Sequence, residues 1–265
     1  MNYLDKIWDY KAQELESLIR RRSLADVRAA AADCEAPRSF YAAVAQNEAV
    51  RIIAEVKRAS PSLGVIVADF DPVRLASLYE EGGARALSVL TDEHFFQGHL
   101  DHMNAIKAQV ALPVLRKDFT LHEYHIYEGR AAGADAVLLI ARMLEPAQLK
   151  DYAQLIRELG MTTLLEIHDE ADLSKLQLDS VVPEEAQCLV GINNRDLSCF
   201  TVDLGTSEQL KPKIPQGFPV VAESGIARRA DVERLQGAGI RIFLIGETLL
   251  KSDDMNDKLK ELLGI

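Results

Sequence analysis

The sequence predicts an α/β protein, a (β/α)8 TIM barrel with an N-terminal helical extension. Three observations carry this expectation: eight short apolar runs from residue 51 onward, amphipathic stretches between them, and a weak internal repeat that sets their spacing.

The runs are RIIAEV (51–56), ALSVL (86–90), PVLR (113–116), AVLLI (136–140), TTLLEI (162–167), CLVGI (188–192), PVVAES (219–224) and RIFLI (241–245). Each is continuously apolar rather than alternating, the pattern of strands buried on both faces. Helix-like segments separate them, among them 71–83, 121–133, 145–160 and 227–239. Strands alternating with helices imply right-handed βαβ units and a parallel sheet. The repeat consists of GARALSVL (83–90), GADAVLLI (133–140) and GIRIFLIG (239–246). Its glycine suits the residue just past a helix, where the chain needs positive φ. The starts lie 50 and 106 residues apart. At about 25 residues per βα unit these gaps are two and four units, which puts the strings on the second, fourth and eighth strands. An open doubly wound sheet would carry a glycine-rich fingerprint after its first strand. Here that strand is followed by EVKRASPS.

Residues 1–46 are rich in Ala, Leu, Glu and Arg. Leu4, Ile7 and Trp8 fall on one helical face, and Leu15, Leu18 and Ile19 on another. Pro37 is the expected break. The expectation is two helices before the barrel, with Trp8 packed between helix and barrel, and one domain overall: an extension over 1–46 and the barrel over 47–265.

Composition narrows the function classes. The chain has 265 residues, 48% hydrophobic and 27% charged, which excludes disorder and low complexity. The net charge of -11 repels nucleic acid phosphates and anionic lipid, so neither is an expected partner. Cys34, Cys188 and Cys199 form no CxxC pair, and an odd, irregular set predicts idle thiols in a reducing compartment rather than disulfides or zinc. The start MNYLDKIWDYK lacks the apolar core of a signal peptide, and no run reaches the ~18 residues needed to span a bilayer. A cytoplasmic protein without a membrane partner is expected.

In a (β/α)8 barrel the site lies where the strands end. The first run ends in Glu55 and Lys57, two apart and therefore on one face. The third leads into Arg116-Lys117-Asp118-Phe119, the fifth ends in Glu166, the sixth in Asn193-Asn194-Arg195, and the seventh in Glu223-Ser224-Gly225. Any one of these is unremarkable as a polar residue where a strand meets solvent. Five strands delivering such groups to one rim point to a site, because burying them is costly without partners. The loops after the seventh and eighth runs, Glu223-Ser224-Gly225-Ile226 and Gly246-Glu247-Thr248, suit a phosphate: glycine allows close backbone approach, and a following helix offers free N–H groups. Lys57 and Ser60 would close that site and Arg58 would screen charge nearby. Glu247 is awkward beside an anion, so only its backbone is assigned. Ordinary strand-to-helix turns are the plain alternative.

His94, His99 and His102 read as surface residues rather than a metal set, and His168 as a cap for the helix after the fifth strand. Phe95-Phe96 would either wall a pocket or pack a loop.

These strand ends resemble a known family. IIAEVKRASPSLGVI (52–66), LTDEHFFQG (90–98), LRKDF (115–119), IYEGRAAGADAVLLI (126–140), LLEIHDEADL (164–173), VGINNRDL (190–197), VAESGI (221–226) and LIGETLL (244–250) are similar, in order, to the blocks of indole-3-glycerol-phosphate synthases. The resemblance runs from about residue 1 to 260. It implies a carboxy-lyase of tryptophan biosynthesis that converts 1-(2-carboxyphenylamino)-1-deoxyribulose 5-phosphate to indole-3-glycerol phosphate, without metal or other cofactor. It implies Lys117 as general acid at the ketone oxygen, Glu166 as general base in the dehydration, and Lys57 as a further acid. Glu55 would tune the lysines, Asn193 would hold a hydroxyl and Glu223 would orient polar groups. Arg195 would bind the carboxylate, Ser60, Ser224, Gly225 and Gly246 the phosphate, and Phe96 and Phe119 would form the aromatic slot. It also implies that residues 1–46 cover the barrel mouth, and a monomer or weak homodimer is the expected state. The sequence departs from the family's usual pattern at Leu63, where many relatives carry a lysine, and at Leu250, where Met is common.

Two other readings compete. A phosphoribosylanthranilate isomerase would need a Cys at the end of the first strand, where none stands. A barrel that only binds a phosphorylated ligand would not need two lysines and two carboxylates.

Overall fold

The computed structural model describes residues 3–45, 49–176, 187–196 and 200–265. Eight parallel strands close into a barrel: β1 (Arg51–Val56), β2 (Ala86–Leu90), β3 (Val114–Lys117), β4 (Ala136–Ile140), β5 (Thr162–Ile167), β6 (Cys188–Asn193), β7 (Val220–Glu223) and β8 (Ile242–Ile245). Closure is visible at Ala54, which pairs with Leu87 on one side and Ile245 on the other. Every apolar run became a strand, with ends within one residue of those expected. Pro113 and Pro219 fall just outside because proline has no N–H for the ladder; they lend only carbonyls, to Leu87 and Val190.

The helices between strands arise from local signals. Asp71 caps α4 (Pro72–Glu81) by accepting the N–H groups of Val73 and Arg74, both at 3.0 Å, with Pro72 in the first turn. The repeated glycines take positive φ as expected: +95° at Gly83, +86° at Gly133 and +82° at Gly239. Each ends a helix and turns the chain into the next strand. A short antiparallel hairpin, 59–60 with 64–65, was not anticipated and shapes the loop after β1.

The extension holds three helices, α1 (Tyr3–Arg21), α2 (Leu24–Asp33) and α3 (Phe40–Ala45), rather than two. The first break falls at Ser23, whose side chain accepts the Asp26 N–H, and Pro37 sits in the linker that follows α2. Trp8 is 39% exposed and is not the expected core residue. The inward face of α1 carries Ile7 and Lys11, each only 2% exposed, and Trp8 flanks it. At the opposite end of the barrel, Phe40 and Val44 of α3 are buried in the same apolar core as the strands. Arg38 donates to the carbonyls of Lys107, Val110 and Leu112, and its N–H meets Asp135 at 2.7 Å. The extension therefore grips both ends of one barrel.

Candidate active site

At the C-terminal ends of the strands lies a cavity of about 600 Å³. Its wall includes the thirteen residues expected to act in catalysis or substrate binding: Glu55, Lys57, Ser60, Phe96, Lys117, Phe119, Glu166, Asn193, Arg195, Glu223, Ser224, Gly225 and Gly246. The charged centre is compact. Lys117 Nζ lies 2.7 Å from Glu166 Oε2 and 3.5 Å from Glu223 Oε2. Lys57 Nζ lies 2.5 Å from Glu55 Oε1. Asn193 donates to Glu166 Oε1 at 3.2 Å. Register brings these groups level: Ile140 pairs with Glu166 across β4–β5, and Asn193 with Glu223 across β6–β7.

Two glycines make room for the carboxylates. A Cβ at Gly191 would stand 2.3 Å from Glu223 Oε1, and one at Gly246 would stand 2.5 Å from Glu55 Oε1. These side chains occupy space that a side chain on the neighbouring strand would otherwise fill.

Burial and charge set the protonation states. Burial by itself lowers the Lys117 pKa, but the surrounding Glu166, Glu223 and Glu55 outweigh it and hold the ammonium charged. Burial disfavours the Glu166 carboxylate, yet Lys117 and His168 hold it ionised, well below its usual range. Glu223 goes the other way: burial, against the pull of Lys117 and with repulsion from Glu166 and Glu55, pushes it up to about 8. Of two buried carboxyls that share one lysine, one is ionised and the other holds its proton at neutral pH.

The loops after β7 and β8 form the second lobe. Ser224 and Gly225 both take positive φ, +65° and +81°. Asn194 holds this turn by donating to the carbonyls of Glu223 and Ser224 at 3.0 and 3.1 Å. Thr248 Oγ1 donates to the Ile226 carbonyl at 2.6 Å and ties the two loops together. The carboxylate of Glu247, an awkward neighbour for an anion, is engaged by Arg195 at 3.1 Å and Lys251 at 2.7 Å. Arg58 stands exposed and outside the cavity wall.

The aromatic pair divides its roles. Phe96 lines the cavity with its ring centroid 6.2 Å from that of Phe119, whereas Phe95 packs edge-on to Tyr10 of α1. His94 stacks on Tyr10, His99 accepts the Asp101 N–H as the cap of the helix Leu100–Gln109, and His102 packs against Phe70. The capping role expected of His168 belongs to its neighbour: Asp169 accepts the Asp172 N–H, and His168 is buried beside Glu166. Cys34 and Cys188 are free thiols; Cys199 and Leu197 lie outside the described residues.

Sequence reading missed Leu4 and Ile7 of α1, Phe200, Val202 and Lys251, all in the cavity wall. Nothing in their local sequence marks them. Leu4 and Ile7 reach the site because α1 lies over the mouth, Phe200 and Val202 lie beyond the end of β6, and Lys251 follows the short helix Glu247–Leu250.

Fold and site together define the class: a (β/α)8 barrel of the enzyme type, its mouth loaded with paired lysines and carboxylates. The family model described as Indole-3-glycerol phosphate synthase matches residues 4–262. The indole-3-glycerol phosphate synthase of Chlorobaculum tepidum is 48% identical over 96% of this chain and 98% of its own. That of Neisseria meningitidis is 44% identical over 98% of each. The chain belongs to the indole-3-glycerol phosphate synthase family, carboxy-lyases of tryptophan biosynthesis. Solved structures share the fold at low identity. A mutant tryptophan synthase alpha-subunit from Pyrococcus furiosus aligns with TM-score 0.60 at 15% identity, over 81% of this chain and 98% of that one. The N-acetylmannosamine-6-phosphate 2-epimerase of Clostridium perfringens aligns with TM-score 0.53 at 16% identity, over 75% and 86%.

Proposed function

We propose that the chain closes the pyrrole ring of 1-(2-carboxyphenylamino)-1-deoxyribulose 5-phosphate to give indole-3-glycerol phosphate, with Lys117 as general acid and Glu166 as general base. The observation that carries this reading is the 2.7 Å contact between Lys117 Nζ and Glu166 Oε2 inside the cavity. An acid and a base within hydrogen-bond reach of each other can serve one small molecule.

Ring closure joins the ketone carbon to the aromatic carbon that bears the carboxylate. Lys117 gives its proton to the ketone oxygen as that bond forms. Loss of carbon dioxide restores the aromatic ring. The new hydroxyl leaves as water with a proton from Lys57, while Glu166 takes a proton from the carbon beside nitrogen. Two protons are given and one is taken, so one enters from solvent when the carboxyl starts ionised. Glu166 returns its proton across the short contact to Lys117. Losing the Lys117 proton removes the cation that keeps Glu166 weakly basic, so its basicity rises when it is needed.

The remaining groups hold the substrate. Ser60, Ser224, Gly225, Gly246 and the first N–H groups of the helix Glu247–Leu250 receive the phosphate, with Lys57 beside them. Arg195 binds the carboxylate before it is lost, and Phe96 and Phe119 flank the aromatic ring. Asn193 holds a hydroxyl. Glu223, protonated below about 8, donates to another and orients it. Glu55 steadies Lys57. Residues 1–46 form an extension whose first helix covers the mouth, with Leu4 and Ile7 in the cavity wall, and 47–265 form the barrel, as one domain. A monomer or weak homodimer in the cytoplasm fits this role; among the described residues no helix is long and apolar enough to cross a membrane.

Fluorescence of the indole product tests the assignment. Lys117→Ala and Glu166→Gln are each expected to lower kcat at least about 100-fold, with circular dichroism unchanged. Turnover retained in either variant removes that residue from the mechanism.

A further inference from the structure

Glu166 has a second set of neighbours, on the side away from Lys117. His168 is 8% exposed, and its Nε2 lies 3.2 Å from Glu166 Oε1. Its Nδ1 lies 3.4 Å from Asp172 Oδ2, the same oxygen that accepts the His168 N–H at 2.9 Å. Among the described residues these two carboxylates are the close partners of the ring nitrogens, at separations within reach of a hydrogen bond but without linear alignment. Arg142, in the turn Ala141–Met143 after β4, fixes the Asp172 carboxylate at 2.8 Å and also binds Asp169. His168 lines a second cavity of about 240 Å³ together with Arg142, Asp169, Asn194 and Arg195. It is absent from the wall of the reaction cavity. The imidazole thus stands between the two spaces and reaches the reaction only through Glu166.

We propose that His168, braced by Asp172, is a positioning residue that holds Glu166 Oε1 as an ionised oxygen and so turns Oε2 toward Lys117 and the reacting carbon. This rests on Glu166 being the base. The reason is geometric: a buried carboxylate with one partner could rotate or take a proton on either oxygen. With Asn193 and His168 on Oε1, only Oε2 remains for catalysis. The charged groups facing His168 are Glu166 from β5, Asp172 and Asp169 from the segment after it, and Arg142 from the β4 turn, with Arg195, Asp196 and Asp203 across the second cavity and Lys117 beyond Glu166. Burial lowers the imidazole's pKa, but Asp172 and Glu166 outweigh burial and Arg142, and the net shift is upward.

The test is the pH profile of kcat in His168→Asn and Asp172→Asn, with Glu166→Gln as the control. Glu166→Gln must be inactive, otherwise the base reading fails and this inference with it. Given an inactive Glu166→Gln, the acid limb of kcat in His168→Asn should move up by about one pH unit. That is roughly a tenfold loss on the limb, because the cation that favours the carboxylate is gone. KM should change less than about twofold, since His168 does not touch the substrate. Asp172→Asn keeps the ring but weakens its charge, and should move the limb the same way; it serves if His168→Asn does not fold. An unmoved acid limb in the folded variants overturns the proposal, even if both are less stable.

Discussion

At the scale of single residues, the site is a problem of fitting three carboxyls beside two ammonium groups. Glu223 is the sharpest case. Among the described residues its Oε1 has no hydrogen-bond partner, and Gly191 on the adjacent strand leaves it room. The substitution Gly191→Ala puts a methyl where that oxygen lies, so Glu223 must swing away from Lys117. The expected result is a fall in kcat of about tenfold or more with little loss of stability, measured by steady-state assay and thermal unfolding. An unchanged kcat would mean that the place of Glu223 beside Lys117 is not needed. Glu223 itself was legible as a strand-end carboxylate. The need for glycine at 191 was not, because it arises from a side chain 32 positions away in the chain.

At the scale of elements, α1 is held over the mouth by one buried charge. Lys11 contacts Asp118 at 3.0 Å, Asp92 at 3.5 Å and Glu14 one turn along the helix. Burial disfavours the Lys11 ammonium, but these carboxylates outweigh it and raise its pKa. Asp118 also accepts from Thr91 at 2.6 Å and pairs with Arg116, so the cluster joins α1 to the ends of β2 and β3. Removing one member of a buried ionic cluster leaves the others unpaired, at a cost of about 3–5 kcal/mol. Lys11→Ala is therefore expected to lower the unfolding midpoint clearly. It should raise KM more than it lowers kcat, because Leu4 and Ile7 of the same helix line the cavity. Urea titration and substrate saturation curves check both. The helical period predicted the helix, but it placed Trp8 inside and gave no reason to bury Lys11. Apolar periodicity marks a face by its hydrophobes, and a lysine is buried only when carboxylates from elsewhere wait for it.

At the scale of the whole molecule, the buried acids give stability an unusual pH dependence. Glu223 titrates at about 8 when folded and at about 4.3 when unfolded, so between those values the folded state binds more protons. Stability from this group therefore falls as pH rises through the window. Asp118 and Glu166 act oppositely. Burial disfavours both carboxylates, but Lys11 and Arg116 hold Asp118 ionised, and Lys117 and His168 hold Glu166 ionised. Their stabilisation is present above the unfolded pKa and is lost as pH falls through the folded one. Urea midpoints across pH 5 to about 9 should show the wild type losing stability relative to Glu223→Gln as pH rises. Parallel curves would mean that Glu223 is not protonated in the fold.

The sequence by itself determined the eight strands, their helical partners and the residues at the strand ends, because a strand buried on both faces must be apolar and a barrel must present its last residues at one mouth. Only the tertiary structure decided how the three helices of the extension wrap the barrel, which of Glu166 and Glu223 keeps its proton, and that Lys11 and His168 belong to the charged interior. The physical reason is the range of the forces involved. Periodicity and capping act within a few residues, whereas burial, charge pairing and cavity walls depend on groups that meet only once the chain has closed on itself.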